Sequence, residues 1–198
     1  KDKHHGTFGV ASSFSLSMPK LITTGQGGFV VTNNKKLAER INEIKNFGRR
    51  SDGNDIYFST GYNFKFTDIQ AALGLSQLKD IKHRIKKKKQ IFKIYYDELS
   101  KISGIKMFIF NKNETPWFCD IYINNPKKLQ EYLKSFNIMS RLVYPPLNSL
   151  KILKIKGDFK NSSYYCNRGI WLPSSINLSK KEIKFIISKI KNFIYSHA

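Results

Sequence analysis

The sequence predicts an α/β protein, because short strand-like runs alternate with segments whose apolar residues recur every three or four positions. Of the 198 residues, 40% are hydrophobic and 14% are aromatic, which is enough for a sizeable core. These observations indicate one domain or two small ones, and they exclude a disordered tail.

The first third of the chain predicts two strands, a helix and a loop. Residues 10–16 and 28–32 are typical of strands and enclose a glycine-rich turn. An amphipathic helix should follow, with an asparagine cap at Asn33 or Asn34. Residues 49–60 are rich in Gly, Asp, Ser and Asn and indicate an exposed loop.

The middle of the chain predicts two helices. Thr67 suits the N-cap of the first one. After Asp80, apolar residues recur at three- and four-residue steps as far as Ile102, which predicts one long helix. Gly104 should follow its end.

The remaining chain alternates strand and helix patterns like a small α/β unit. A final helix should begin at Ser179, which forms a capping-box pattern with Glu182. The other predicted elements are strands at 105–110, 117–123, 140–144 and 170–173 and helices at 126–136 and 160–168.

Lys20 is the candidate functional residue of the first part. It lies between an apolar strand and a glycine-rich run, where an amine could be held still against a bound reactant. A lysine amine kept away from water loses its charge more easily, and it can then condense with an aldehyde to form a Schiff base. The alternative is that Lys20 is one of many solvated lysines in a lysine-rich chain.

Two sequence blocks carry a resemblance to a known family. The first contains Ser15, Lys20 and the run Thr-Gly-Gln-Gly-Gly at 24–28, and the second is the run Gly-Tyr-Asn-Phe-Lys-Phe-Thr-Asp-Ile-Gln-Ala-Ala-Leu-Gly at 61–74. In this order they resemble the two signature motifs of the pyridoxal-phosphate-dependent sugar aminotransferases often named after DegT, DnrJ, EryC and StrS. Leu16 departs from the pattern, since the family has an aromatic residue there. Later segments, such as Trp-Leu-Pro at 171–173, resemble the perosamine-synthase-like branch.

The resemblance implies a fold-type-I α/β transferase in which this chain forms the end of the large domain and the small domain. Residues 1–80 would be the C-terminal part of the large cofactor-binding domain, 81–103 a long connecting helix and 104–198 a small C-terminal α/β domain. The family's aspartate partner of the pyridinium nitrogen and its ring-stacking aromatic would lie upstream of Lys1. We therefore expect this chain to be incomplete as an enzyme, or a remnant that has lost activity.

The resemblance also implies the reaction and the cofactor contacts. An amino group would pass from glutamate to a nucleotide-linked keto-sugar, as in 4-amino-4,6-dideoxysugar biosynthesis for polysaccharides. Lys20 would form the Schiff base with pyridoxal 5′-phosphate and then move the proton, and Ser15 would bind the phosphate. Asn63 would reach the phosphate in the neighbouring subunit of a homodimer with a shared active site. The alternatives are a strand hydroxyl bonded to backbone for Ser15 and a turn residue for Asn63.

Arg141 and Tyr144 are candidate substrate-binding residues. They lie at the foot of a predicted small-domain strand, where the family closes over its substrates. A guanidinium suits a diphosphate or a carboxylate. An ordinary surface arginine beside a packed tyrosine is the alternative.

The net charge of +21 raises a function of a different class, a basic module for nucleic acid or another polyanion. The run Lys86 to Lys89 would provide its face, although such a run more often keeps a helix solvated. However, an excess of lysine together with abundant isoleucine and asparagine also follows from an AT-rich coding bias. The charge therefore indicates attraction to anionic ligands in general, and we expect no specific nucleic-acid partner.

The cysteines and the apolar runs predict a cytoplasmic protein. Cys119 and Cys166 fit neither a redox pair nor a zinc spacing, so we expect free thiols and no metal site. No apolar run approaches the roughly 20 residues that a membrane-spanning helix needs, and no signal peptide is apparent.

Overall fold

A computed structural model of the protein describes residues 3–196. The chain divides into two compact units, Lys1–Lys82 and His83–Ala198. Both units combine helices with antiparallel strands, so the predicted mixture of helix and sheet is confirmed.

The first unit contains a two-stranded antiparallel sheet. Strands β1 (Ala11–Ser15) and β2 (Gly28–Thr32) pair so that Ser15 lies opposite Gly28 at the mouth of the connecting segment. The Phe14 and Phe29 rings stack in parallel with their centroids 4.8 Å apart. Residues 16–27 therefore form a loop whose two ends are held together by the paired strands.

Two capped helices complete the first unit. Helix α1 (Lys35–Lys45) begins where the Asn34 side chain accepts the Leu37 N–H, as the asparagine cap predicted. Helix α2 (Asp68–Lys79) begins at Thr67, which forms a full capping box with Gln70. No residue of α2 is buried within this unit.

The second unit is a three-stranded antiparallel sheet with helices. The chain enters it along helix α3 (Ile81–Leu99). In chain order the other elements are β3 (Cys119–Tyr122), α4 (Pro126–Lys134), β4 (Arg141–Leu142), two 3-10 turns (Leu147–Ser149 and Lys151–Leu153), α5 (Lys160–Cys166), β5 (Gly169–Leu172) and α6 (Lys180–Ser196). The strand order of the sheet is β3-β5-β4, and helix α6 ends the unit.

The core of the second unit lies between one face of this sheet and helices α3, α4 and α6. Alternation along the strands directs one set of side chains to the core and the other to the opposite face. The fully buried members include Tyr95, Leu99, Ile121, Leu129, Leu133, Ile170, Ile183 and Ile190. The opposite face carries Asp120, Trp171 and Arg141 in one cross-strand row, because both outer residues are registered against Trp171.

The predicted strand at 105–110 is wrong. Lys106 alone exchanges both backbone hydrogen bonds with Tyr122, each at 2.9 Å, and the segment then leaves the sheet. The prediction failed because β-branched and aromatic residues favour a strand without fixing a partner. Strands β3 and β4 are likewise shorter than predicted.

Among the described residues, no helix is long and apolar enough to cross a membrane.

Candidate functional site

A tight turn brings Ser15, Ser17 and Lys20 together directly after β1. The Lys20 N–H donates to the Ser17 carbonyl oxygen at 3.0 Å, which closes the turn. The Ser15 hydroxyl accepts the Ser17 N–H at 3.2 Å and lies 2.9 Å from the Ser17 hydroxyl. Lys20 is half-buried and Ser15 is exposed. Ser17 was not identified from the sequence as a candidate site residue. The only sequence signal for it is its position two residues after Ser15.

The glycine-rich run returns the chain to β2 beneath this turn. The Leu16 N–H donates to the Gly27 carbonyl and the Thr24 N–H donates to the Leu16 carbonyl, both at 2.9 Å. Thr24 is buried, and its hydroxyl donates to the Gln26 carbonyl at 2.7 Å. Gly25 has a φ of +78°, and a Cβ at this position would meet nothing within 4 Å. Open space therefore lies beside the turn.

Helix α2 fixes the turn through two glutamine side chains. Gln77 Nε2 donates to the Thr23 carbonyl at 2.7 Å, and the Thr23 N–H donates to Gln77 Oε1 at 3.2 Å. Gln70 Nε2 donates to the Gln26 carbonyl at 3.0 Å. Each bond is between residues at least 44 positions apart in the chain. The two sequence blocks therefore fold onto one another.

Asn63 lies on a separate loop and not in the Lys20 turn. It is exposed and forms an isolated antiparallel bridge with Asn46, just beyond the end of α1. Close backbone contact holds this loop shut: a Cβ on Gly61 would lie 2.0 Å from the Gly48 nitrogen, and one on Gly48 would lie 1.7 Å from the Ser59 carbonyl oxygen. Only glycine fits either position without moving the backbone.

In the second unit, Arg141 and Tyr144 lie together. The Arg141 guanidinium carbon is 4.8 Å from the centre of the Tyr144 ring and 5.5 Å from that of Trp171. The two rings meet edge to face at 4.9 Å. Arg141 and Tyr144, with Lys127 of α4, also line a cavity of about 480 Å³. Arg141 is thus an exposed cation held on an aromatic surface, a favourable arrangement for binding an anion.

Asp120 is an acid of the same sheet face that sequence reasoning missed. Its Oδ1 atom is buried without a hydrogen-bond partner. Burial raises the pKa of Asp120 from 3.8 to about 6, although a hydrogen bond from Tyr122 opposes the change. No local sequence signal marks this residue, since its burial depends on packing between strands.

Two amines of the lysine run on α3 donate hydrogen bonds to carbonyl oxygens of the second unit. Lys88 Nζ donates to the Ser174 carbonyl at 2.8 Å and to the Trp117 carbonyl at 3.0 Å. Burial lowers the pKa of the Lys88 ammonium. Lys89 Nζ donates to the Lys112 carbonyl at 2.5 Å. Two of the four amines therefore stabilise the fold, which weakens the case for a polyanion-binding face.

The donor set of the Lys20 turn suits a phosphorylated aldehyde. Lys20, whose primary amine can react with an aldehyde, belongs to the same turn as two adjacent hydroxyls, which can bind phosphate oxygens. Backbone and side chains also leave the space around a Cβ at Gly25 empty to 4 Å. We conclude that the residues present fit pyridoxal 5′-phosphate. Among the described residues, no cluster of three or more His, Cys, Asp or Glu side chains could hold a metal ion.

Known proteins resemble this chain over nearly its whole length. The model of the DegT/DnrJ/EryC1/StrS aminotransferase family matches residues 1–191. The chain is 32% identical to the GDP-perosamine synthase of Vibrio cholerae in an alignment of 203 positions that covers 96% of this chain and 54% of that protein. It is also 32% identical to the GDP-perosamine synthase of Escherichia coli O157:H7, covering 98% and 54%.

A solved structure shares the fold. Helicobacter pylori PseC, an aminotransferase involved in the biosynthesis of pseudoaminic acid, superposes with a TM-score of 0.89 at 25% identity over 99% of this chain and 56% of that one. The chain thus spans about half the length of the relatives it matches.

Proposed function

The chain belongs to the DegT/DnrJ/EryC1/StrS aminotransferase family, and we propose that the native gene product is a pyridoxal-phosphate-dependent sugar aminotransferase. Glutamate would donate the amino group, and a nucleotide-linked 4-keto-6-deoxysugar would accept it. The perosamine synthases among the relatives support this class of substrate. The observation that carries the proposal is the turn that joins Ser15, Ser17 and Lys20 and is fixed from behind by Gln77.

The proposed roles of the residues in the first unit follow from this turn. When bound, the cofactor supplies the electron sink that amino transfer requires. The Lys20 amine would attach to it and afterwards accept and return the proton at the reacting carbon. Ser15 would donate its hydroxyl hydrogen to the phosphate. Ser17 would fix the direction of the Ser15 hydroxyl, because the two oxygens lie 2.9 Å apart.

Two further contacts belong to the proposal. Asn63 would reach the phosphate in a second copy of the protein, so that a homodimer shares its active sites. Arg141 and Tyr144 would bind an anionic part of a substrate, a diphosphate or a carboxylate. The exposed guanidinium above two rings supports this role, since an arginine held on aromatic faces keeps its hydrogen-bonding edges for a ligand.

The domain assignment and the location remain part of the proposal. Residues 1–80 would complete the large cofactor domain, 81–103 would connect the domains, and 104–198 would be the small domain. Cys119 and Cys166 are both free thiols, which favours a reducing compartment such as the cytoplasm.

The function is tested by locating the cofactor. The native gene product would be incubated with pyridoxal phosphate, reduced with borohydride and digested. We expect mass spectrometry to find the cofactor on Lys20, and Lys20→Ala to abolish release of 2-oxoglutarate from glutamate in the presence of a panel of nucleotide keto-sugars. Lys36→Ala, on the exposed surface of α1, is the control. Cofactor on another lysine, or turnover by Lys20→Ala, would refute the assignment.

This experiment, together with a nucleic-acid titration at several salt concentrations, separates the alternatives. An inactive remnant of an aminotransferase would retain the cofactor on Lys20 without turnover. A polyanion-binding module would instead bind nucleic acid with an affinity that falls steeply with salt and with replacement of Lys86 to Lys89 by glutamine.

A further inference from the structure

Glu43 is a buried carboxylate of the first unit that lies outside the Lys20 turn. Only 7% of the residue is exposed. Its Oε1 accepts the Ser59 hydroxyl at 2.6 Å and a hydrogen bond from Arg40, and its Oε2 accepts Arg50 Nε at 3.0 Å. The bonds from Ser59 and Arg50 hold the pKa of Glu43 below its ordinary 4.5, so this carboxylate is ionised at neutral pH.

The three donors come from three different segments. Arg40 is on α1, Arg50 is on the outgoing arm of the loop at 46–64, and Ser59 is on its returning arm. A single carboxylate therefore ties both arms of the loop to the helix. The Arg50 guanidinium also lies 4.1 Å above the Phe58 ring, which adds a second contact between the arms.

The returning arm carries Asn63 four residues after Ser59. The Tyr62 N–H donates to the Ile44 carbonyl at 2.7 Å, and the Phe64 N–H donates to the Lys45 carbonyl at 3.0 Å. Asn63 is thus bracketed by two backbone bonds to the end of α1. A displacement of the arm at Ser59 would strain these bonds and move the Asn63 amide.

We infer that Glu43 is a positioning residue for Asn63, acting through the loop arms rather than on the cofactor. The inference rests on the proposed function, in which Asn63 of one subunit reaches the cofactor phosphate of its neighbour. Small displacements of a phosphate contact weaken binding, because hydrogen bonds depend steeply on distance and angle. Glu43 would therefore affect cofactor affinity without touching the cofactor.

Glu43→Gln tests this inference in the native gene product. Glutamine keeps the shape but sets a donating amide against donors, so the arms should separate. We expect roughly tenfold weaker binding of pyridoxal phosphate to the apo-protein, followed by absorbance titration. We also expect faster amide hydrogen exchange within residues 47–64. Glu39→Gln removes the same charge from an exposed position one turn away and should change neither quantity.

Two further variants keep the result interpretable if Glu43→Gln folds poorly. Ser59→Ala removes one donor and should give a smaller change of the same kind in both measurements. Asn63→Ala should weaken cofactor binding while the loop amides stay protected. Unchanged cofactor affinity and unchanged protection in Glu43→Gln and Ser59→Ala would overturn the inference. Failure of the unaltered protein to bind pyridoxal phosphate would instead overturn the proposed function, and with it the role given to Glu43.

Discussion

The Gln77 side chain pairs with both backbone polar groups of Thr23, donating through Nε2 at 2.7 Å and accepting through Oε1 at 3.2 Å. A primary amide can do this because its NH₂ donor and its carbonyl acceptor can face the N–H and the C=O of a single residue at the same time. The Gln77 side chain therefore makes the same two hydrogen bonds with Thr23 that a residue of a neighbouring antiparallel strand would make. It fixes the backbone three residues after Lys20 to a helix 54 positions away.

Gln77→Leu should destabilise this part of the protein. Leucine has a similar volume but leaves the part-buried Thr23 N–H and carbonyl without partners, at a cost of about 1–3 kcal/mol. Urea unfolding of the native gene product measures the change as a lower midpoint. Gln90→Leu, at an exposed position of α3, is the control. Equal midpoints for the two variants would show that the pair contributes nothing.

Lys88→Met should destabilise the second unit more than Lys86→Met. The Lys88 amine bonds two carbonyl oxygens, which would lose a charged donor, whereas Lys86 is exposed. We expect a loss of about 2 kcal/mol in the free energy of unfolding for Lys88→Met and little change for Lys86→Met. The opposite order would mean that the charge of the run matters more than this contact.

Asp120→Asn should stabilise the protein in a pH-dependent manner. The pKa of Asp120 is raised from 3.8 to about 6, so the folded state binds a proton more tightly than the unfolded state does. The free energy of unfolding therefore falls as pH rises from 3.8 to about 6, and the loss persists above that range. We expect the variant to gain about 1–2 kcal/mol over the unaltered protein at pH 7.5, after allowing for partial exposure.

The gain should shrink as the pH approaches 4, where the unaltered Asp120 is protonated in the folded protein. Asp158→Asn, at an exposed position, should show no such trend. Denaturant titrations at several pH values provide the comparison. A gain that is the same at pH 4.5 and 7.5 would contradict the burial argument.

The two thiols should differ strongly in reactivity. Cys119 is 1% exposed, and burial raises the pKa of its thiol to about 12, so little thiolate forms. Cys166 is half-buried and lines the cavity beside Arg141. Brief iodoacetamide labelling followed by peptide mass spectrometry should therefore modify Cys166 first and Cys119 only after denaturation. Simultaneous labelling of both would indicate that the core opens readily.

Much of the fold could be predicted from local patterns. The caps at Asn34 and Thr67 and the capping box at Ser179 were all visible, because each depends on residues within three positions of one another. The Lys106 segment was not predictable in the same way, since a strand exists only where a partner strand continues beside it. Lys106 forms one bridge with Tyr122, and among the residues that the structure describes, no strand pairs with residues 107–110.

In the candidate site, too, local motifs could be recognised in the sequence, whereas contacts between distant residues could not. The sequence identified Ser15 and Lys20 through a motif, and their roles stay predictions. The sequence did not indicate that Gln70 and Gln77 hold the turn, because hydrogen bonds between residues 44 or 54 positions apart produce no periodic pattern in the sequence. Glu43 was hidden for the same reason: its donors Arg50 and Ser59 become neighbours only when the loop closes.

The contact between Gly48 and Gly61 limits how this loop can evolve. A methyl group at either position would collide with backbone atoms about 2 Å away or closer, and backbone cannot be exchanged by mutation. Substituting the partner glycine cannot compensate, since it has no side chain to shorten. Single substitutions of either glycine are therefore not tolerated. The arrangement can change only if residues are inserted into the loop or deleted from it. Homologues that changed its length would be the ones free to lose both glycines.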